Sequence, residues 1–373
     1  MSNLTPEEQL ILLFSRVNPS PEAVAEAERI LKEQRVDLAV TTKLAAMNGV
    51  TPLLYHNLKR LDLVPQDVME RLRSACLLTL GENVRKAGEM IGIITRLKEA
   101  GVEAIPLKGP VASDVIFGSP GLYPSSDLDI LVRPSDLERT KRALLEAEYR
   151  EDTVTDERDM LRGTYHLTFR NDRYVLEVHW TLAFRYFDIP SGFWWEDTGV
   201  VEYEGTEMKT LSAERYILYT VFRLYRHAFR PLRFLVLIAE IIRKYQDEIV
   251  WEKLIALAHS YRMERLLLFT LRLLKETLGA GVPENIVQRP VYGYGLLRRL
   301  VLSGLFREVE RIHPRMLLFT LLQKTPFDTA GVVLRRIFPP SSEIRLRYGL
   351  SAESKKVYFY YLMNPVLMVI RKR

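Results

Sequence analysis

The run from Ile105 to Val132 constrains the fold most. It holds an apolar approach, Lys108-Gly109-Pro110, a short amphipathic segment, a Pro/Gly/Ser turn, and then Asp127-Leu128-Asp129-Ile130-Leu131-Val132. Side chains alternate faces along a strand, so Asp127 and Asp129 point the same way with Cα atoms roughly 6.5–7 Å apart, while Leu128 and Ile130 turn into a core. Two like charges held on one face repel, and a fold tolerates them when a cation sits between them. Hard carboxylate oxygens suit Mg²⁺ or Mn²⁺ rather than zinc. An isolated Asp-x-Asp reads as a solvated strand end, so its surroundings decide between the two readings.

Upstream, Gly101 to Leu107 reads as a strand, and Lys108-Gly109-Pro110 leads straight into a helix over Val111 to Phe117. Glycine at a strand-to-helix turn lets backbone approach a phosphate, and first-turn N–H groups favour an anion there. Pro110 suits the first helical turn, where a missing N–H is no loss, although it also removes one possible donor to phosphate. Downstream, Tyr174 to Trp180 has strand composition, with Glu177 and His179 on one face and Leu176 and Val178 on the other. If that strand lies beside the aspartate strand, Glu177 joins Asp127 and Asp129. Three carboxylates around divalent ions is the layout of two-metal phosphoryl and nucleotidyl transfer.

The order Leu-Lys-Gly, helix, Asp-Leu-Asp-Ile-Leu-Val, then Leu-Glu-Val-His-Trp resembles the nucleotidyltransferase superfamily with the polymerase-β-like fold. Within it the chain looks most like the uncharacterised nucleotidyltransferase family, whose members begin with a pattern similar to Ala46-Met-Asn-Gly-Val50-Thr-Pro-Leu-Leu-Tyr55. The resemblance covers roughly residues 30–250. It implies an α+β fold, a small mixed sheet with helices, flanked by helical regions. By the same resemblance Gly109 and the following turn hold the nucleoside triphosphate and Asp127, Asp129 and Glu177 ligate the metals; Lys108, Ser126 and His179 are further candidates for contacting the nucleotide. Glu177 would also help deprotonate an acceptor hydroxyl. Three positions depart from the pattern: Pro110 follows Gly109 where the superfamily turn usually has serine or glycine, Tyr123 stands where relatives often carry an arginine, and Leu237 where they often carry an aspartate.

With 373 residues, 47% of them hydrophobic, the chain can bury a substantial core. It divides into a helical region over 1–99, a nucleotidyltransferase core over 100–205 and a helical region over 206–373. The single cysteine, Cys76, excludes intrachain disulfides and cysteine-based zinc sites. No charged-then-apolar leader is visible, since Met1 to Glu8 reads as the start of a capped helix, so the expected location is cytoplasmic. The net charge of +6 is compatible with a triphosphate, an RNA or an anionic surface and selects none of them.

Helices are expected over Pro6–Val17, Pro21–Glu33, Asp37–Asn48, Pro52–Leu61, Gln66–Leu78 and Gly81–Glu99, and another from Pro134 to Ala147 with Ser135 as N-cap and Glu138 completing a capping box. Thr164–Phe169 and Tyr174–Trp180 read as a hairpin, placing His166 and His179 on strands. The aromatic run Phe184, Tyr186, Phe187, Phe193, Trp194 and Trp195 reads as core before base-stacking surface. A basic band at Arg223, Arg226, Arg230, Arg233, Arg243 and Lys244 is either the solvated face of two helices or a surface for an acidic or nucleic-acid partner. The family resemblance implies a following helical domain that closes over the nucleotide or presents the acceptor, which makes Arg223 and His227 candidates for facing the cleft, although each alone reads first as ordinary helix surface. The apolar segment Val357 to Ile370 is short of the roughly 20 residues that span a bilayer. Its Lys-Arg ends permit an interfacial membrane contact, and it reads first as buried against the helical region or in a homo-oligomer interface.

The reading that follows is a metal-dependent enzyme moving a nucleoside monophosphate from an NTP to an acceptor hydroxyl on a small molecule, RNA or protein, with release of pyrophosphate. The alternatives are a catalytically silent nucleotide-binding or interaction module and an Asp-x-Asp nucleotide-sugar glycosyltransferase.

Overall fold

Thr5, Ser20 and Asp37 each end an extended stretch and cap a helix through their side-chain oxygens, Thr5 with Glu8 in a reciprocal capping box. The computed structural model describes residues 4–152, 165–183, 187, 189–307, 321–322, 338–339, 341–351 and 354–370. Its N-terminal helices are α1 (Pro6–Leu13), α2 (Pro21–Glu33), α3 (Leu38–Met47), α4 (Thr51–Leu58) and α5 (Gln66–Glu99). Then follow β1 (Ala104–Pro106), α6 (Pro110–Phe117), β2 (Leu128–Val132), α7 (Leu137–Glu146), β3 (Arg150–Glu151), β4 (His166–Arg170) and β5 (Val175–His179). A small hairpin, β6 (Gly199–Tyr203) and β7 (Thr206–Thr210), precedes the second helical region. That region contains α8 (Ala213–Arg226), α9 (Arg233–Lys244), α10 (Trp251–Ser260), α11 (Glu264–Leu278), α12 (Glu284–Val287), α13 (Tyr294–Leu305), α14 (Ser341–Tyr348) and α15 (Lys356–Ile370).

The main sheet has five strands in the order β1-β2-β5-β4-β3. Among the described strands only β2 and β5 pair in parallel, and their register sets Asp129 beside Glu177 and Leu131 beside His179. The expected hairpin is β4 with β5, antiparallel. All five residues of β2 are buried, because α5 and α7 cover one face of the sheet and helices of the C-terminal region approach the other.

One core, around Val111, Leu128, Ile130 and Val178, fills the space between sheet and α5. A larger core draws on Leu10, Leu53 and Phe117 together with Ile217, Leu237 and Phe269, so the two flanking helical regions bury their apolar faces against each other. Tyr123 and Leu237 both lie in this core, which explains why neither position serves the cleft. Phe187, Phe193, Trp194 and Trp195 are core residues as expected, while Phe184 and Tyr186 lie outside the described residues.

Three local expectations need correction. The helices placed on either side of Thr79-Leu80 are one helix of 34 residues, α5. Gly81 costs such a helix about 1 kcal/mol, which packing on α4 at one end and on α6, α7 and β1 at the other outweighs. Ser135 caps nothing, because Pro134–Asp136 forms a 3-10 turn and α7 starts at Leu137 without a side-chain cap. The basic band is not a solvated face, since Arg223, Arg226 and Arg233 line a cavity while Arg243 pairs with the fully buried Glu240 away from it. No helix among the described residues is long and apolar enough to cross a membrane.

Glu240 ties the two helical regions together. Its carboxylate takes Arg243 Nε, the Val17 N–H at 3.2 Å and, at 3.5 Å, the Arg16 guanidinium, and Arg243 also donates to Ile116 O at 3.0 Å. Removing one member of such a buried cluster strands the others. Glu240→Ala should therefore lower unfolding stability by about 3 kcal/mol, read as a shifted midpoint in urea denaturation. A shift no larger than that of an exposed Glu→Ala, such as Glu33→Ala, would contradict the assignment.

Candidate active site

Asp129 is the second residue of β2, all of whose residues are buried, and is only 1% exposed. A carboxylate there must be paired. Lys108 Nζ lies 2.8 Å from Asp129 Oδ2 and 2.8 Å from Asp127 Oδ2, so a single ammonium bridges the two aspartates. Asp127 occupies the bend before β2 rather than the strand itself, yet its carboxylate faces the same side, and it accepts the Ser126 hydroxyl on its other oxygen. His179 Nε2 is 3.1 Å from Asp129 Oδ1 and 3.3 Å from Glu177 Oε2, reaching both carboxylates across the parallel pair. His166, on β4, stands 4.0 Å from the other Glu177 oxygen.

Backbone geometry explains how Lys108 and the aspartates meet. Gly109 has φ 90°, and a Cβ there would lie 3.0 Å from Ser125 Oγ and 3.4 Å from Asp127 O. Glycine is required on both counts. It caps α6 with Pro110 as the first helical residue, and its tight turn brings Lys108 over the start of β2. Gly109 itself packs against Ser125 and is not part of the described cavity wall. From below, α5 secures the segment entering β2: Asn83 Nδ2 donates to Pro120 O at 2.6 Å and to Tyr123 O at 2.8 Å, and Lys86 Nζ donates to Ser125 O at 2.6 Å.

The carboxylates floor a cavity of about 240 Å³. Lys108, Ser126, Asp127, Asp129, Glu177 and His179 form one wall. Opposite them stand Tyr219, Arg223, Arg226 and His227 along α8, with Arg233 and Phe234 from the start of α9. Arg223 and His227, which read from the sequence as candidates for the cleft but as well suited to ordinary helix surface, line the cavity, while Arg226, Arg233 and the aromatic residues were not anticipated. A signal was present: α8 is apolar and buried over most of its length, and arginines one turn apart on such a helix have little open solvent to reach. Aromatic rings hold these cations in place. Arg223 lies 4.9 Å from the Phe234 ring centre and Arg226 lies 4.6 Å from that of Tyr165. Among the described residues none of Arg223, Arg226 and Arg233 forms an ion pair with a carboxylate.

Protonation follows from these contacts. Burial raises the Glu177 carboxyl, but the His179 hydrogen bond and the charges of His179, His166 and Lys108 outweigh it and hold the group down at about 2. Burial likewise works against a charged His179, and the bonds to Asp129 and Glu177 overcome it, raising His179 above the ordinary 6.5. His166 is pushed down to about 4 by burial and by the neighbouring His179 charge. Two imidazoles 5.2 Å apart compete for one proton, and His179 holds it.

Asp129, Glu177 and His179 can each turn one ligand atom to within 4.8 Å of the others, which fits a divalent cation. Asp129 Oδ2 is buried and, although close to Lys108, lacks an aligned hydrogen bond. Asp127 lies beside this group, joined to it through Lys108.

In the metal-free protein Glu177, at about 2 against an ordinary 4.5, contributes stability that is present above 4.5 and lost as pH falls toward 2. His179, raised above 6.5, contributes stability that is complete below 6.5 and lost as pH climbs through its folded value. The pair therefore contributes most between 4.5 and 6.5. His179→Gln should lower unfolding stability within that window and flatten its decline below 4.5 and above 6.5, and an unchanged profile would contradict the pairing.

No curated protein and no solved structure matches this chain. A family model described as an uncharacterised nucleotidyltransferase matches residues 34–279, a span that takes in the whole sheet and every cavity wall described above. The chain belongs to the uncharacterised nucleotidyltransferase family.

Proposed function

We propose that the chain transfers a nucleoside monophosphate from an NTP to an acceptor hydroxyl and releases pyrophosphate, with Mg²⁺ or Mn²⁺ as cofactor. The observation that carries this reading is the juxtaposition in one cavity of a carboxylate floor around a cation position with an arginine wall that has no carboxylate of its own. Asp127, Asp129 and Glu177 would hold the cations, with His179 as ligand or as a hydrogen-bonded support for the two buried carboxylates. Bound there, the cations would supply charge neutralisation for the phosphates and a lower barrier to attack by the hydroxyl.

The chain's own residues account for the rest. Arg223, Arg226 and Arg233 face the floor and would take the triphosphate oxygens, since guanidinium forks bind phosphate in two-point fashion. Lys108, released from the aspartates when a cation takes their charge, would be free to turn to the same phosphates. The acceptor oxygen forms a bond to the α-phosphorus while the bridge to the β-phosphate breaks, and the hydroxyl proton leaves to a carboxylate or to solvent. Glu177, held near 2, is better suited to stay an anion than to collect that proton. Rate would come chiefly from positioning and electrostatic stabilisation.

One observation favours a second reading, a nucleotide-binding module without turnover: Lys108 already bridges Asp127 and Asp129. Incubation of the purified protein with each α-³²P-labelled NTP, Mg²⁺ or Mn²⁺ and a lysate, followed by separation of RNA, protein and small molecules, distinguishes the two. Label should enter one fraction, and Asp129→Asn should lower it by about 10²–10³-fold, the usual loss when one preorganised electrostatic partner is removed. Binding of NTP with no label transferred would favour the silent module. Lys108→Met should cost the metal-free protein about 3 kcal/mol by leaving two aspartates without their cation. Mn²⁺ should raise the melting temperature of that variant more than that of the unaltered protein, and an equal response would contradict the bridging role of Lys108.

A further inference from the structure

The Ala46-Met-Asn-Gly-Val50 stretch belongs to the N-terminal helices, yet its contacts lead to the cavity. Asn48 is buried, and its Nδ2 donates to Leu44 O at 3.0 Å, which fixes the amide orientation. Its Oδ1 accepts the Leu232 N–H at 3.0 Å and its main-chain oxygen accepts the Arg233 N–H at 3.1 Å. Helix α9 has no side-chain cap of its own. Asn48 therefore supplies, from 184 residues away, two of the acceptors that the opening turn of α9 lacks.

Gly49 completes the contact. Its φ is +66°, and a Cβ at that position would lie 2.7 Å from Arg233 Cδ and 3.5 Å from Arg233 Nε. The Arg233 methylenes thus cross directly over the Gly49 backbone. Beyond them the guanidinium enters the cavity, 5.4 Å from the Phe234 ring centre, with a long 3.5 Å contact from Nη1 to Pro124 O. Its Nε is buried without a hydrogen-bond partner. A guanidinium fixed along its stem, unsatisfied at its head and facing the site of a proposed triphosphate is arranged to receive an anionic oxygen. The N–H groups of Leu232 and Arg233 are taken by Asn48 and that of Phe234 by Pro231 O, so the anion would be bound by the side chain before the helix end.

We infer that Arg233 binds a phosphate of the polyphosphate ligand and that Asn48 and Gly49 are positioning residues that aim it. This rests on the nucleotide reading above and adds a specific coupling between the N-terminal helices and the cavity.

The test is a double-mutant cycle read by calorimetric titration of the full chain with inorganic tripolyphosphate, and with α,β-methylene ATP plus Mg²⁺. Arg233→Gln should weaken binding of both probes by about ten- to hundredfold, the range for a hydrogen bond to a charged group. Gly49→Ala should weaken it comparably, and should add nothing in the Arg233→Gln background. Asn48→Ala, which leaves the Gly49 turn intact, is the second variant and should show the same dependence on Arg233. Thermal unfolding supplies a readout that does not involve the ligand: the destabilisation caused by Gly49→Ala should shrink in an Arg233→Ala background, where the obstructing Cδ is gone. If the unaltered protein binds and Arg233→Gln binds equally well, the inference fails while the nucleotide reading stands. If Gly49→Ala and Asn48→Ala weaken binding as much without Arg233 as with it, they act through the fold in general and the positioning role is overturned. If the unaltered protein binds neither probe, the nucleotide reading falls and takes the ligand of Arg233 with it.

Discussion

Everything at this site depends on a buried carboxylate, Asp129, placed beside Glu177 by the parallel pairing of β2 with β5. A charge in that position is tolerable only with partners. The fold supplies them from both sides, Lys108 from the strand-to-helix turn and His179 from β5 two residues beyond Glu177. The internal ammonium lies between Asp127 and Asp129, where a divalent cation would be drawn. Under the proposed function, cation entry would exchange one positive group for another and leave the lysine available to an anionic ligand.

The arginine wall is the counterpart of that floor. Arg223, Arg226 and Arg233 come from the C-terminal helical region, while the carboxylates come from the sheet. Burial works against the charge on Arg223, but Tyr219 and the aspartates across the cavity raise its pKa beyond the ordinary range. The two walls therefore sense one another electrostatically. They are kept in register by the larger core, which the N-terminal and C-terminal helices share, and by the Glu240 cluster at its edge. A site split between two parts of the chain in this way needs the flanking helices for its shape as well as its stability.

Much of the floor was legible in the sequence because strands write their geometry in a period of two. Asp127 and Asp129, then Glu177 and His179, declare a shared face, and the apolar residues between them declare the other. Family resemblance supplied the pairing of the two strands, which no local pattern encodes. The wall was harder to see. An arginine at helical spacing looks the same on a solvated face and on a cavity face, and only the packing of α8 and α9 against the sheet separates Arg226 and Arg233 from Arg243. Lys108 as a bridge was hidden for a similar reason, since the aim of its side chain depends on the positive φ of Gly109. Local propensity misled at two points. Gly81 and its neighbours read as a break where packing at both ends carries α5 through, and Ser135 read as a cap where Pro134 instead opens a 3-10 turn.

Titration of the protein with Mn²⁺ followed by electron paramagnetic resonance, with and without an NTP, tests the central claim most directly. The account predicts weak Mn²⁺ binding alone, where Lys108 competes, much tighter binding when NTP is present, and loss of both in Asp129→Asn. Mn²⁺ binding that is absent throughout, or that persists unchanged without the Asp129 carboxylate, would contradict it.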